Sequence, residues 1–233
     1  MLTLPRCFAL VPCAGVGQRA GVGGPKQYAA LVGRTVVAHT LAALAAVPRL
    51  QQTLVVLSPD DTVFERHAPG FGGWVARSGG ATRAASVAAG LQALREHGAG
   101  DEDWVLVHDA ARCLLQPAWV ERLIDACLPD AVGGLLALPL ADTLKAASAD
   151  DRVAATLERS AKWLAQTPQM FRLGLLQRAL HSGEAAGLNI TDEASAVEAL
   201  GLAPRLVPGD LENFKLTWPA DFVLAERLLR SRL

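Results

Sequence analysis

The stretch that decides the fold lies near the start of the chain. Phe8-Ala9-Leu10-Val11-Pro12 is followed by twelve residues, 13–24, that include five glycines. A short apolar run bounded by turn residues is typical of a buried strand. In doubly wound α/β sheets, ligands bind where the chain leaves the carboxyl ends of the strands. The sequence therefore predicts a strand over 8–12 and a ligand-binding loop directly after it.

Two functional interpretations of this loop compete. Gly15-Val16-Gly17-Gln18-Arg19-Ala20 matches the dinucleotide fingerprint G-x-G-x-x-G/A, but the window that should supply a ribose-binding acid, 35–39, contains none. Glycines also let backbone N–H groups approach phosphate oxygens, and Arg19 and Lys26 bring cations from both sides. We favour a loop that wraps a triphosphate, although an ordinary glycine-rich surface turn remains open on this segment alone.

Beyond the loop, predicted strands alternate with predicted helices over the first 140 residues. Strands are expected at 54–57, 104–108 and 134–138, and helices at 35–47, 84–95 and 117–128. This alternation predicts a mainly parallel, doubly wound α/β sheet. Further along, we expect helices at 169–180, 192–200 and 219–230, with Thr191 capping the second, and an edge strand at 213–217.

The segment 141–162 departs from this alternation. It is polar, charged and weakly periodic, with short strand-like pieces, which favours an extended arm or hairpin that protrudes from the core. No internal repeat or low-complexity linker is present in the sequence. We therefore expect one domain over 1–233, with an arm at about 141–162.

Composition narrows the class of protein. Of the 233 residues 51% are apolar, so a sizeable core is possible, and the formal net charge of −1 argues against a partner such as nucleic acid or a membrane surface. The four cysteines show no metal-site spacing and are interpreted as reduced thiols of a cytoplasmic protein. The apolar stretch near the N-terminus is too short for a secretory signal, and no apolar run approaches the ~20 residues that span a bilayer.

Several later motifs carry chemistry-bearing side chains. Asp109 and Arg112 follow a predicted strand, where a carboxylate and a guanidinium can orient a polyol hydroxyl and a phosphate together. A tight turn at Gly79-Gly80 opens a helix containing Ser86, which suits either a capped turn or a pocket for a pyrimidine edge. Thr167-Pro168-Gln169 is predicted to begin a helix. Each motif alone also has an ordinary structural interpretation, as a cap, a turn or a solvated charge.

Taken together, the motifs resemble one family, the 2-C-methyl-D-erythritol 4-phosphate cytidylyltransferases. The resemblance runs from residue 8 to about 229. It rests on eight segments in order, which are Pro12-Cys-Ala-Gly-Val-Gly-x-Arg19, Pro25-Lys-Gln-Tyr28, Gly79-Gly-x-x-Arg-x-x-Ser-Val87, Val107-His-Asp-Ala-Ala-Arg112, Asp142-Thr-x-Lys145, Thr167-Pro-Gln169, Ile190-Thr-Asp-Glu-Ala-Ser195 and Asn213-Phe-Lys-Leu-Thr217.

The resemblance implies a Rossmann-like nucleotidyltransferase fold and transfer of CMP from CTP to a polyol phosphate. It further implies Mg²⁺ held mainly by the triphosphate, with no metal-binding side chains assigned, and a homodimer whose arms complete each other's sites. The catalytic cations would be Arg19, Lys26 and Lys215. Nucleotide contacts would come from Pro12, Ala14, Gly15, Gly17, Gly80, Ser86 and Ala110. Acceptor contacts would come from Asp109, Arg112 and Thr167, with Thr143 and Arg159 from the partner's arm.

The sequence leaves some alternatives open. Cys13 stands where relatives commonly have alanine, which places a thiol near the nucleotide, and Ala81 stands where some relatives carry an acid that contacts the base. A ribitol 5-phosphate cytidylyltransferase would use a similar set of residues. A dinucleotide-dependent oxidoreductase and a non-catalytic nucleotide-binding protein are the alternatives from other classes.

Overall fold

The computed structural model describes residues 5–15 and 24–232. Arg19 and Gly17, to which the resemblance gave roles, lie outside the described residues. The strands are β1 (Cys7–Pro12), β2 (Ala30–Leu31), β3 (Arg34–Thr35), β4 (Leu50–Val56), β5 (Trp74–Ala76), β6 (Trp104–Val107), β7 (Gly133–Pro139), β8 (Leu144–Ala147), β9 (Val153–Leu157), β10 (Trp163–Arg172) and β11 (Arg205–Pro208). The helices are α1 (Val36–Ala45), α2 (Phe64–His67), α3 (Arg83–Glu96), α4 (Pro117–Cys127), α5 (Leu173–Ala185), α6 (Glu193–Glu198) and α7 (Pro219–Ser231).

The main sheet has seven strands in the order β11-β7-β10-β6-β1-β4-β5. Strand β1 pairs in parallel with β4 and β6, and β4 with β5, which confirms the predicted parallel core. Strand β10 is the exception, because it runs antiparallel to both β6 and β7. Because β1 and β6 are parallel neighbours, their carboxyl ends lie side by side at the same end of the sheet, where the sequence predicted the site.

Helices cover both faces of the sheet, because the central strands are apolar on both sides. In β1, Ala9 and Val11 pack into a core with α1 and α4, whereas Phe8 and Leu10 pack into a second core with α3, α5 and α6. Residues that alternate along a strand point to opposite faces, so β1 contributes to both cores at once. The predicted doubly wound, Rossmann-like fold is confirmed.

The predicted arm is present and exposed. Strands β8 and β9 pair only with each other in an antiparallel hairpin outside the main sheet. Val153, Leu157, Trp163 and Leu164 are large apolar side chains left exposed there and at the base of the arm. Among the described helices, none is long and apolar enough to cross a membrane.

The predicted helix starting at Thr167 is wrong at its first turn. Residues 163–172 form β10, with a cis peptide bond between Thr167 and Pro168 and an irregular register between Ala165 and Gln169. Met170 and Phe171 are fully buried between the neighbouring strands, so packing in the sheet outweighs the local preference of a proline for a helix start. The helix itself, α5, begins at Leu173.

Two other local predictions need correction. The predicted edge strand at 213–217 is an irregular segment, because its polar groups are bonded mainly to side chains and to the backbone of Ala111. On the β7 side of the sheet the edge strand is β11, which pairs in parallel with β7. The cap of α6 is Asp192 rather than Thr191, because the Asp192 carboxylate accepts from the Ser195 N–H in a capping box.

Candidate functional site

A cavity of about 460 Å³ opens at the carboxyl ends of β1 and β6. The predicted nucleotide-binding residues that the structure describes all line it, namely Pro12, Ala14, Gly15, Gly80, Ser86 and Ala110. Three predicted charged residues, Lys26, Asp109 and Lys215, line it as well. Motifs that are far apart in the sequence therefore meet in one cavity, which we call the site cavity.

The loop after β1 is fixed by Gln27, a role that sequence reasoning missed. The buried Gln27 amide donates to the carbonyl oxygens of Cys13 at 3.1 Å and Gly15 at 2.9 Å. The Cys13 N–H continues the sheet by donating to Val56 at 2.8 Å. Burial also raises the pKa of the Cys13 thiol far above its usual range, which keeps the thiol near the site neutral.

The facing wall is the turn before α3. Thr82 caps this helix by accepting from the Ala85 N–H at 3.1 Å, and the buried Ser86 hydroxyl accepts from the Gly80 N–H at 3.1 Å. No side chain fits at Gly79, because a Cβ there would lie 2.4 Å from the Ala14 Cβ and 2.7 Å from the Leu57 carbonyl oxygen. The turn and the β1 loop thus approach each other as closely as glycine allows.

Asp109, just after β6, is surrounded by cations. Its carboxylate lies 2.8 Å from the Lys215 ammonium, 2.9 Å from the Arg83 guanidinium and 3.7 Å from Arg112 Nε. Burial alone would raise the pKa of Asp109. The charges of Arg83, Lys215 and Arg112 outweigh that effect and lower the pKa well below its usual range. Asp109 is therefore an ionised acceptor at any physiological pH.

The backbone of Asp109 is held by a buried polar network. The Asp109 N–H donates to the Thr167 hydroxyl at 3.0 Å, and that hydroxyl lies 3.1 Å from His108 Nδ1. His108 Nε2 lies 3.2 Å from the Arg112 carbonyl oxygen, which can only accept, so Nε2 carries the hydrogen and Nδ1 accepts from Thr167. Burial lowers the pKa of His108 to about 4, which keeps the ring neutral.

Of the five predicted acceptor-binding residues, only Asp109 lines the site cavity. Arg112 lies behind Asp109, half-buried, and does not line it. Thr167 is buried behind Asp109 and does not line the site cavity. Thr143 and Arg159 lie on the arm, exposed, and within this chain they do not line the cavity either. Arg159 donates instead to the Ala141 carbonyl oxygen at the base of the arm. Their predicted roles toward an acceptor stay predictions.

The second lysine of the site is held across the cavity. Lys26 Nζ donates to the Leu216 carbonyl oxygen at 2.6 Å, next in sequence to Lys215. Arg112 supports the same segment by donating to the Asn213 carbonyl oxygen at 2.6 Å. The segment 213–217, predicted as a strand, thus forms the wall that brings Lys215 to Asp109 and holds the Lys26 ammonium at Leu216.

Sequence reasoning also missed an ion pair at the rim of the site. Arg83, the first residue of α3, contacts both carboxylate oxygens of Glu193, at 2.6 Å and 3.1 Å, in addition to Asp109. Both residues stand inside motifs of the resemblance, Gly79–Val87 and Ile190–Ser195, and neither was given a role. Their position in those motifs was the signal that could have found them.

Known proteins of one family are similar to this chain in sequence and in fold. The family model of 2-C-methyl-D-erythritol 4-phosphate cytidylyltransferase matches residues 7–231. The cytidylyltransferase of that name from Chromobacterium violaceum is 57% identical over 231 residues, covering 97% of this chain and 98% of its own. A crystal structure of a 4-diphosphocytidyl-2C-methyl-D-erythritol synthase, 43% identical, superposes with a TM-score of 0.86 over 97% of this chain and 99% of its own.

One relative is longer. A protein of Albidiferax ferrireducens named bifunctional enzyme IspD/IspF is 61% identical over 231 residues, which are 99% of this chain but 54% of that protein. The chain thus spans about half the length of this bifunctional relative and nearly all of the relative from Chromobacterium. The match of fold, motifs and sequence over almost the whole chain shows that it belongs to the 2-C-methyl-D-erythritol 4-phosphate cytidylyltransferase family.

Proposed function

We propose that this chain transfers CMP from CTP to 2-C-methyl-D-erythritol 4-phosphate in the site cavity and releases pyrophosphate. The observation that carries the proposal is the meeting of Lys26, Lys215 and Asp109 opposite the Gly80–Ser86 turn. A cavity of about 460 Å³ suits a small ligand, and the pairing of cations with a fixed carboxylate suits a phosphorylated polyol.

The nucleotide would occupy the side of the cavity formed by the β1 loop and the turn before α3. Ala14 and Gly15 present backbone groups there, fixed by Gln27, and Ser86 holds the Gly80 turn in place. Backbone groups in such a rigid arrangement can recognise the polar edge of a pyrimidine without an acidic side chain. This would explain why Ala81 is tolerated where some relatives carry an acid.

The acceptor would occupy the side near Asp109. An ionised carboxylate accepts hydrogen bonds from polyol hydroxyls, and Lys215, which contacts that carboxylate, would pair with the acceptor's phosphate. Arg112 Nε is buried 3.7 Å from the Asp109 carboxylate and has no closer hydrogen-bond partner among the described residues, so Arg112 adds positive charge behind Asp109. Thr167 would contribute by holding the Asp109 backbone.

The reaction needs no strong base. A phosphate oxygen of the acceptor attacks the α-phosphorus of CTP, the bond to the bridging β-phosphate oxygen breaks, and pyrophosphate leaves with that electron pair. Charge accumulates on the phosphate oxygens, so positioning and cations supply most of the rate enhancement. We assign that role to Lys26 and Lys215, together with Arg19 of the loop.

Mg²⁺ would accompany the triphosphate. The described part of the chain contains no group of three or more His, Cys, Asp or Glu side chains arranged to hold a metal ion. Asp109 is the one acidic side chain among the described residues that line the site cavity. An ion held by the triphosphate and water would neutralise part of the triphosphate charge and so reduce its repulsion of the anionic acceptor.

The arm would join two copies of the chain. Exposed apolar surface is present there, contributed by Val153, Leu157, Trp163 and Leu164. Apolar surface of this kind often marks a contact with another protein chain. In a homodimer the arm could bring Thr143 and Arg159 to the partner's site cavity. The four cysteines are buried and unpaired, which supports a reducing compartment such as the cytoplasm.

Pyrophosphate release tests the proposal. Purified protein is assayed with Mg²⁺ and each of CTP, ATP, GTP and UTP, with 2-C-methyl-D-erythritol 4-phosphate or ribitol 5-phosphate as acceptor. We expect turnover with CTP and the methylerythritol phosphate. Turnover only with ribitol 5-phosphate would assign the protein to the sister activity, and folded protein that is silent with both acceptors would contradict the proposal.

A further inference from the structure

A chain of buried ion pairs links α6 to the site. Glu193 is only 1% exposed, and both oxygens of its carboxylate bond to the Arg83 guanidinium. The Nε of the same Arg83 guanidinium donates to the Asp109 carboxylate at 2.9 Å. Arg83 therefore bridges two carboxylates that belong to different elements of the fold.

Glu193 is itself held rigidly. The buried Gln169 side chain of β10 accepts from the Ala194 N–H at 2.8 Å and donates to the Asp192 carboxylate at 2.9 Å. The Asp192–Ser195 capping box closes the same turn. The first turn of α6 is thus fixed to the sheet on both sides of Glu193, so the carboxylate has a defined position from which to hold Arg83.

The ion pair has a specific consequence for Asp109. Lys215 is 39% exposed and pairs with the Asp109 oxygen that Arg83 does not contact. If Lys215 turns to a bound phosphate, Asp109 loses one of its near cations. Arg83 stays, because Glu193 holds it, and a guanidinium has the planar fork needed to contact two carboxylates at once.

From this geometry we infer that Arg83 and Glu193 are positioning residues for acceptor binding. Glu193 orients Arg83, and Arg83 keeps Asp109 ionised and correctly placed while Lys215 engages the phosphate. The inference rests on the proposed function of the site. Arg83 also lines the site cavity beside the Gly80 turn. Its hydrogen bond goes to Asp109, which faces the acceptor, so we expect the larger effect on the acceptor rather than on CTP.

The test separates the two substrates. Glu193→Gln keeps the shape of the side chain and removes its charge, and KM is measured for each substrate with the other saturating. We expect the KM for the methylerythritol phosphate to rise about tenfold, with the KM for CTP changed less than about twofold. Arg83→Lys, which keeps the charge and loses the fork, should give the same pattern and serves if Glu193→Gln folds poorly.

A matched control and a double variant exclude a general loss of stability. Asp103→Asn breaks another ion pair of a poorly exposed carboxylate, with Arg6 at 2.6 Å, at the opposite end of β6. It should lower the melting temperature and leave both KM values within about twofold of wild type. Because Glu193 acts through Arg83, the Glu193→Gln, Arg83→Lys double variant should raise the acceptor KM no more than the stronger single variant.

Three results would overturn the inference while leaving the function standing. These are an unchanged acceptor KM in both single variants, equal increases in both KM values, or effects of the two substitutions that multiply. Wild-type protein that turns over neither acceptor would instead remove the proposed function on which the inference rests.

Discussion

The Asp109 carboxylate lies 2.8 Å from the Lys215 ammonium, which joins the end of the central strand β6 to the irregular segment before α7. The neighbour of Lys215, Leu216, accepts from Lys26 at 2.6 Å. The segment around Lys215 therefore brings one carboxylate and two lysines from three distant parts of the sequence to the same cavity. We therefore expect the rate of CMP transfer to fall most when one of these charges is removed.

Lys26→Ala and Lys215→Ala should each lower kcat/KM, by an amount that corresponds to about 3–4 kcal/mol of lost transition-state stabilisation. This is the usual cost of removing a key electrostatic donor from a reacting centre. Steady-state assays with CTP and the methylerythritol phosphate measure the loss. The matched control is Lys145→Ala, because Lys145 lies on the exposed hairpin and donates to Thr156 there. Losses below tenfold at both Lys26 and Lys215 would contradict the assignment.

The neutral His108 predicts a pH dependence of stability. Burial lowers its pKa to about 4 in the folded protein, whereas an unfolded histidine takes up a proton near pH ~6.5. Between these values the unfolded state binds the additional proton. Stability is therefore fully present above pH ~6.5 and is lost as pH falls toward 4, by a few kcal/mol at most.

His108→Asn should flatten this dependence, because an amide can occupy the Nδ1 position without titrating. Free energies of unfolding from urea titrations at pH 7.5 and 5 measure the change. The variant is expected to be less stable than wild type at pH 7.5, with a smaller difference between the two pH values. The exposed His181 provides the control: His181→Gln should keep the wild-type slope. An unchanged slope in His108→Asn would show that His108 is not the group responsible.

Gly79→Ala should weaken CTP binding by displacing the β1 loop. The new Cβ would lie 2.4 Å from the Ala14 Cβ, so one wall of the site cavity must move. Overpacking of this kind costs roughly 1–3 kcal/mol. We expect a lower melting temperature and a higher KM for CTP. At Gly72 a Cβ would meet nothing within 4 Å, so Gly72→Ala is the neutral control. A CTP KM unaffected by Gly79→Ala would contradict the close approach of loop and turn.

The sequence predicted most of the site because its motifs stand at strand ends, where a parallel sheet collects them. Ala14 and Gly15 after β1 and Asp109 after β6 meet for that reason. What it could not predict depends on long-range packing. Residues 163–172 form a strand because they hydrogen-bond to both β6 and β7. The local sequence around Pro168 had instead predicted the start of a helix. The Glu193–Arg83 pair depends on that strand as well, since Gln169 fixes α6 beside the site.

The exposed arm carries Arg159, which we expect to act in a partner's site cavity. If Arg159 completes the site of a partner subunit, Arg159→Ala should abolish most activity and leave the chain folded, because its side chain is exposed and bonds only locally among the described residues. Circular dichroism and melting temperature check the fold. Arg152→Ala is the matched control on the same arm, since Arg152 pairs with Asp150 within the hairpin at 3.0 Å.

Mixing inactive dimers distinguishes a shared site from a local one. A hybrid of Arg159→Ala and Lys26→Ala subunits contains one cavity with an intact Lys26 that faces an intact Arg159. Random exchange makes half of the dimers hybrid, and half of their sites intact, so about one quarter of wild-type activity should return. Native mass spectrometry follows the exchange. If hybrids form and activity stays at the level of the parents, Arg159 does not act across the interface, since a shared site would necessarily be restored in them.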